Sequence, residues 1–153
     1  YVRAGRLQIY EGDAFDHLSF SAIGYDVVAS AWTLHNFPRN DRNNLLAKMH
    51  DSLVPGGLFI MMDKVLSYNP AIEKESLQKA IVSYDFLRTK ENRIDVYDAI
   101  VAHEREDHQD PYALRENEFV EDLHQLGFKK VTISRPHPLD PSQRDFIVTA
   151  RKM

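Results

Sequence analysis

His35 stands just downstream of an apolar run, Asp26-Val27-Val28-Ala29-Ser30-Ala31-Trp32. An imidazole there can take a proton from an attacking oxygen or nitrogen near neutral pH. A surface or helix-capping histidine would leave the same trace. Ser30, Ala31 and Trp32 close the run. Small side chains at 30 and 31 let a ligand approach the backbone, and Trp32, the one tryptophan of the chain, offers a ring face to a positive charge. Its plainer reading is a core aromatic. Asp13 follows the two-residue alternation Leu7-Gln8-Ile9-Tyr10, so it ends a strand in a loop. Its carboxylate can accept an amino hydrogen from a flat heterocycle, a following backbone N–H at Ala14 or Phe15 can face a ring nitrogen, and Phe15 can cover the ring. The alternative is an Asx turn at Asp13 with Phe15 in the core.

Other combinations carry less. Pro55-Gly56-Gly57 has no Lys or Ser/Thr after it in the manner of a phosphate loop, so it reads as a turn. In His103-Glu104-Arg105-Glu106-Asp107-His108 the two histidines lie about 140° apart on a helix and share no face. His103 and Asp107 can pair, which is too few ligands, and no metal is expected. The absence of cysteine excludes disulfides and thiolate chemistry and suits a reducing cytoplasm.

A formal charge of −4 provides no basic field for phosphate backbones or anionic membranes, so nucleic acid is not an expected partner. No apolar run reaches the ~18 residues of a membrane span. The start, Tyr1-Val2-Arg3-Ala4-Gly5-Arg6, has neither a signal-peptide core nor an initiating methionine. The expectation is a cytoplasmic protein of which this chain is a cut piece. Its 153 residues, 43% of them hydrophobic, suit one globular domain.

The elements that position these residues follow from periodicity. The Asp26–Trp32 run suits a strand buried on both faces. From Asp41 to Leu53 the apolar Leu45, Leu46, Met49 and Leu53 recur at helical spacing; Pro55-Gly56-Gly57 then turns the chain into a second buried strand, Leu58 to Met62. Strand, helix, strand predicts a βαβ unit in a parallel sheet. After Asp63-Lys64 about fifty residues read as helical, with Ile72, Leu77, Ile81, Tyr84 and Leu87 as one stripe and Ile94 to Val101 as another. That is too long for a crossover, so residues 66–115 read as a helical insert, a lid or dimer surface. A helix from Glu118 to Leu126 closes at Gly127. Lys130 to Ser134 and Asp145 to Ala150 alternate as strands around a Pro-rich loop and must pair antiparallel.

The stretch from Asp26 to Phe37, followed by Leu45 to Asp63 with its Leu-Val-Pro-Gly-Gly-Leu-Phe-Ile-Met-Met-Asp ending, resembles the fourth strand, fourth helix and fifth strand of the class I, Rossmann-like S-adenosylmethionine-dependent methyltransferases. Tyr10-Glu11-Gly12-Asp13-Ala14-Phe15 is similar to that family's loop after strand three. Leu123-His124-Gln125-Leu126-Gly127-Phe128 is similar to its last helix entering an antiparallel hairpin. Asp85-Phe86-Leu87-Arg88 and Leu123-His124 bring the layout nearest to the carboxy-S-adenosylmethionine synthase-like members.

The resemblance implies an α/β fold containing strands 3 to 7 of the family order 3-2-1-4-5-7-6, in one partial domain over residues 1–153. It implies S-adenosyl-L-methionine as cofactor, contacted by Asp13, Ala14, Phe15, Ser30, Ala31 and Trp32, with His35 as the catalytic residue. It also implies a small-molecule methyl acceptor and a homodimer, with Tyr84, Phe86 and Arg88 in the insert near the acceptor unless they pack in the core. The family's Gly-x-Gly-x-Gly turn and its ribose-binding acid do not occur among these residues, so this piece alone is expected to be inactive. In the nearest members an arginine before Leu-His holds an extra cofactor carboxylate; here Glu121 and Asp122 precede Leu123, which would repel that group and favours ordinary methyl transfer. The alternatives are carboxy-S-adenosylmethionine synthesis and a non-catalytic binding or assembly module.

Overall fold

The computed structural model describes residues 11–13, 15, 24–135 and 145–153. The expected first strand over Leu7–Tyr10, the site residue Ala14 and the Pro-rich loop through Pro136, Pro138 and Pro141 lie outside them. Strand β1 (Tyr25–Ala31) leads through a 3₁₀ turn (Leu34–Asn36) into helix α1 (Arg39–Ser52) and strand β2 (Leu53–Lys64). Helices α2 (Pro70–Ser83), α3 (Asp85–Thr89), α4 (Ile94–Glu106) and α5 (Glu116–Gln125) follow, then strands β3 (Phe128–Ser134) and β4 (Asp145–Lys152). The sheet order is β1-β2-β4-β3, with β1 parallel to β2 and β4 antiparallel to both its neighbours. This is the 4-5-7-6 part of the order that the resemblance implies.

Local chemistry accounts for the element ends. Asn69 caps α2 by accepting the Ala71 N–H, and Pro70 occupies the first turn, where no N–H is missed. Gly127 leaves α5 at φ +96°, a conformation that glycine adopts without Cβ strain. One boundary differs from expectation: β2 begins at Leu53, before Pro55-Gly56-Gly57, and the ladder with β1 jumps from Tyr25↔Leu53 to Val27↔Leu58. The Pro-Gly-Gly turn is thus a bulge inside the strand, with Gly56 at φ +80°.

The core lies on one face of the sheet. Leu45, Leu46 and Met49 of α1, Phe119 and Leu123 of α5, and Phe59, Met61, Phe128, Phe146, Val148 and Ala150 of the strands form its cluster. The expectation that β1 and its neighbour are buried on both faces is corrected: Val28 packs on the core, but Val27 is 50% and Met62 37% exposed. The reason is topological. Among the described residues β1 is an edge strand and no helix contributes to a core on its second face.

The helical stretch is pinched at its neck, where the Leu66 N–H donates to the Leu114 carbonyl at 2.7 Å and the Glu116 N–H to Leu66 at 3.1 Å. Buried Arg42 ties that neck to α1, donating to the carbonyls of Phe37, Tyr112 and Ala113. Burial pushes its guanidinium down to about 10, against the pull of Asp122. Removing Arg42 orphans buried acceptors, so Arg42→Met is expected to destabilise the fold by about 1–3 kcal/mol. A lower urea midpoint at unchanged slope would register that loss, and an unchanged midpoint would refute it.

Candidate functional site

The carboxyl ends of β1 and β2 are the edge at which open parallel sheets bind ligands. Here β1 does not run straight into the next element. Trp32 adopts φ +52°, strained for a bulky residue, while its N–H still donates to the Met62 carbonyl at 2.9 Å. The chain then enters the 3₁₀ turn, which carries Leu34 and His35 into the interior.

Asp63, at the end of β2 and wholly buried, organises this turn. Its Oδ2 accepts the N–H groups of Thr33 at 3.2 Å and Leu34 at 2.8 Å. Its Oδ1 accepts the Lys64 N–H at 2.9 Å and pairs with Nδ1 of His35. A carboxylate only accepts, so Nδ1 carries a proton, and the neutral ring then has its lone pair on Nε2. That is the tautomer of a positioned base, and both groups are almost shut off from water.

The other expected contacts are distributed as follows. Trp32 stands edge-on to the His35 ring at 6.4 Å and is 44% exposed, so it is not a core aromatic. Ala31 is exposed and its carbonyl accepts the Thr33 hydroxyl. The Ser30 hydroxyl is buried with no hydrogen-bond partner among the described residues. Asp13 accepts the Phe15 N–H at 2.7 Å, an Asx turn that engages one of the N–H groups offered to a ring ligand. Phe15 packs edge-to-face on Phe37 at 5.2 Å, against the core. His35, Ser30, Ala31 and Trp32 thus share one strand end. Phe86 of the insert is 46% exposed rather than in a core, while Arg88 pairs with Asp85 and lies over the Tyr97 ring.

Sequence reasoning did not single out Asp63, Lys64 or Glu104. Lys64 Nζ reaches Asp107 at 2.9 Å and Glu104 at 3.3 Å, which docks α4 against the end of β2. It thereby brings the His103 ring to 6.3 Å from that of His35. The available signal was the position of Asp63, an acid ending the strand next to the one that ends before His35. Asp122 is not a free repelling charge: Arg39 grips both its oxygens, at 2.7 and 3.0 Å, and that hydrogen bonding holds the guanidinium above its ordinary value.

Comparison with known proteins agrees with this architecture. Residues 1–61 match the profile of a methyltransferase domain. A carboxy-S-adenosyl-L-methionine synthase of Nautilia profundicola is 25% identical over 121 residues, 77% of this chain and 48% of that protein. An O-methyltransferase family protein from Burkholderia thailandensis superposes with a TM-score of 0.58 at 14% identity, over 97% of this chain and 36% of its own. Human N-acetylserotonin methyltransferase, solved in complex with SAM, gives 0.53 at 15% identity, over 94% and 33%. The solved structures bear out the fold, and the chain spans about half the length of its curated relative. No described helix is long and apolar enough to cross a membrane.

Proposed function

We propose, from a chain whose first 61 residues match a methyltransferase domain and whose fold is similar to solved methyltransferases, that it forms the carboxyl-terminal side of an S-adenosylmethionine-dependent enzyme methylating a small-molecule acceptor. The observation that carries this reading is the buried His35–Asp63 pair at the ends of two adjacent parallel strands. S-adenosyl-L-methionine supplies the methyl group as a sulfonium. Exposed Ala31 and half-exposed Trp32 leave room for it beside the strand ends, where the indole face suits positive charge. The acceptor's proton passes to Nε2 of His35, and Asp63 holds the resulting imidazolium through Nδ1. Asp13, Ala14 and Phe15 contribute to the adenine end.

The glycine-rich turn is expected upstream of these residues. Cytoplasmic location and homodimerisation belong to the same reading. Exposed Val82, Phe86 and Ile94 support the use of residues 66–115 as a dimer or lid surface.

Calorimetric titration of S-adenosylhomocysteine into this chain and into a protein extended upstream tests the reading. Binding is expected in the longer protein alone. No binding in either would replace it with a non-catalytic assembly module.

A second reading, carboxy-S-adenosylmethionine synthesis, is favoured by the Nautilia relative and by the neutralisation of Asp122 by Arg39. Product mass separates the two: a methylated acceptor supports the first, a carboxylated cofactor the second.

A further inference from the structure

His35, from the turn after β1, meets two side chains one turn apart at the end of α4, His103 and Asp107. The sequence offered His103 and Asp107 as a pair with no third ligand; the fold provides one from 68 positions upstream of His103. Ligating atoms of the three all lie within 4.8 Å of one another, and His103 Nε2 is 3.7 Å from Asp107 Oδ2. We propose that His35, His103 and Asp107 bind a divalent transition-metal ion of the zinc class.

The donor set fits. Two imidazoles and a carboxylate are zinc ligands, and three protein ligands leave one tetrahedral position for water. Zinc bonds of about 2.0–2.1 Å separate tetrahedral ligands by roughly 3.3 Å. The His103–Asp107 distance is already near that value, and His103, with 49% of its side chain exposed, has room to adjust its ring. Asp63 accepts from Nδ1 of His35, which fixes the ring and leaves the other nitrogen to donate, the usual outer-shell partner of a metal-bound histidine.

The surrounding charge suits a dication. Asp63, Glu104 and Asp107 converge there against the Lys64 ammonium and the guanidinium of Arg42, which senses Asp63. Lys64 is the competitor, since it holds Asp107 Oδ2; it also contacts Glu104 and can stay on that partner when a metal takes Asp107. Metal binding occupies the lone pair that His35 needs as a base, a consequence that rests on the reading of His35 above. The site itself does not.

The test is titration of Zn²⁺ against a chromophoric chelator, and of Co²⁺ by its visible ligand-field absorption, with neither cofactor nor acceptor present. One equivalent is expected, with a four-coordinate Co²⁺ spectrum. His103→Ala, at a half-exposed position, should keep its circular dichroism and lose at least the ~10–100-fold in affinity that even an outer-shell partner is worth. Lys64→Gln should tighten binding by removing the competing cation. Equal affinity in wild type and His103→Ala, or an octahedral aquo-like Co²⁺ spectrum, would overturn the site. Full-affinity binding that leaves methyl transfer untouched would instead overturn His35 as base and leave the metal site standing.

Discussion

Replacing His35 by alanine in the cofactor-binding enzyme is expected to lower the rate of methyl transfer by about 10²–10⁴-fold, the usual worth of a positioned general base. The affinity for S-adenosylhomocysteine should remain, because the imidazole is carried into the interior by the turn after β1 and held there by Asp63, whereas Ala31 is exposed. Methyl transfer also gains rate from alignment of nucleophile, methyl and sulfur alone, so the variant keeps residual turnover. A variant as fast as wild type would reduce His35 to a structural histidine. One that no longer bound cofactor would place it in the binding site instead.

The sequence was most legible where one physical requirement dominates. The apolar runs of β1 and β2, the helical spacing of Leu45, Leu46 and Met49, and the alternation of β3 and β4 each reflect burial on one sheet, and each element occurs near where periodicity predicts it, with β2 starting earlier, at Leu53. Burial on the second face was misread for a related reason. A run such as Val27 to Ala31 is written for strands packed on both sides, but its neighbours in space are set by the whole sheet, and β1 is an edge among the described residues.

The site was legible only in part. Ser30, Ala31, Trp32 and His35 lie close together in sequence at the end of a strand, so their shared location could be read locally. Asp63 lies 28 residues from His35 and Asp107 lies 43 from Lys64. Both partnerships depend on register, β1 against β2 and α4 against the end of β2, and no local period encodes either. Helical geometry does not apply to the pair His103 and His108: α4 ends at Glu106, and His108, beyond it, pairs with Glu73 on α2 at 3.3 Å.

Asp63→Asn separates positioning from packing. The amide keeps the shape and leaves an oxygen for the N–H groups of Thr33 and Leu34, now held by Oδ2. Its NH₂ then faces the Lys64 N–H and Nδ1 of His35, donors both, in place of Oδ1. Relief at the histidine requires the ring to move its proton to Nε2, and an imidazole protonated there cannot act as base. The expected loss is about 10²–10⁴-fold in rate, as when the orienting acid of a catalytic triad becomes an amide. The unmatched Lys64 N–H should cost a further 1–3 kcal/mol or so of stability. The decisive comparison is the double variant: if Asp63 acts through His35, Asp63→Asn combined with His35→Ala is no slower than His35→Ala alone. Multiplying losses would mean that Asp63 supports the site by another route, through the turn it caps rather than the ring it orients.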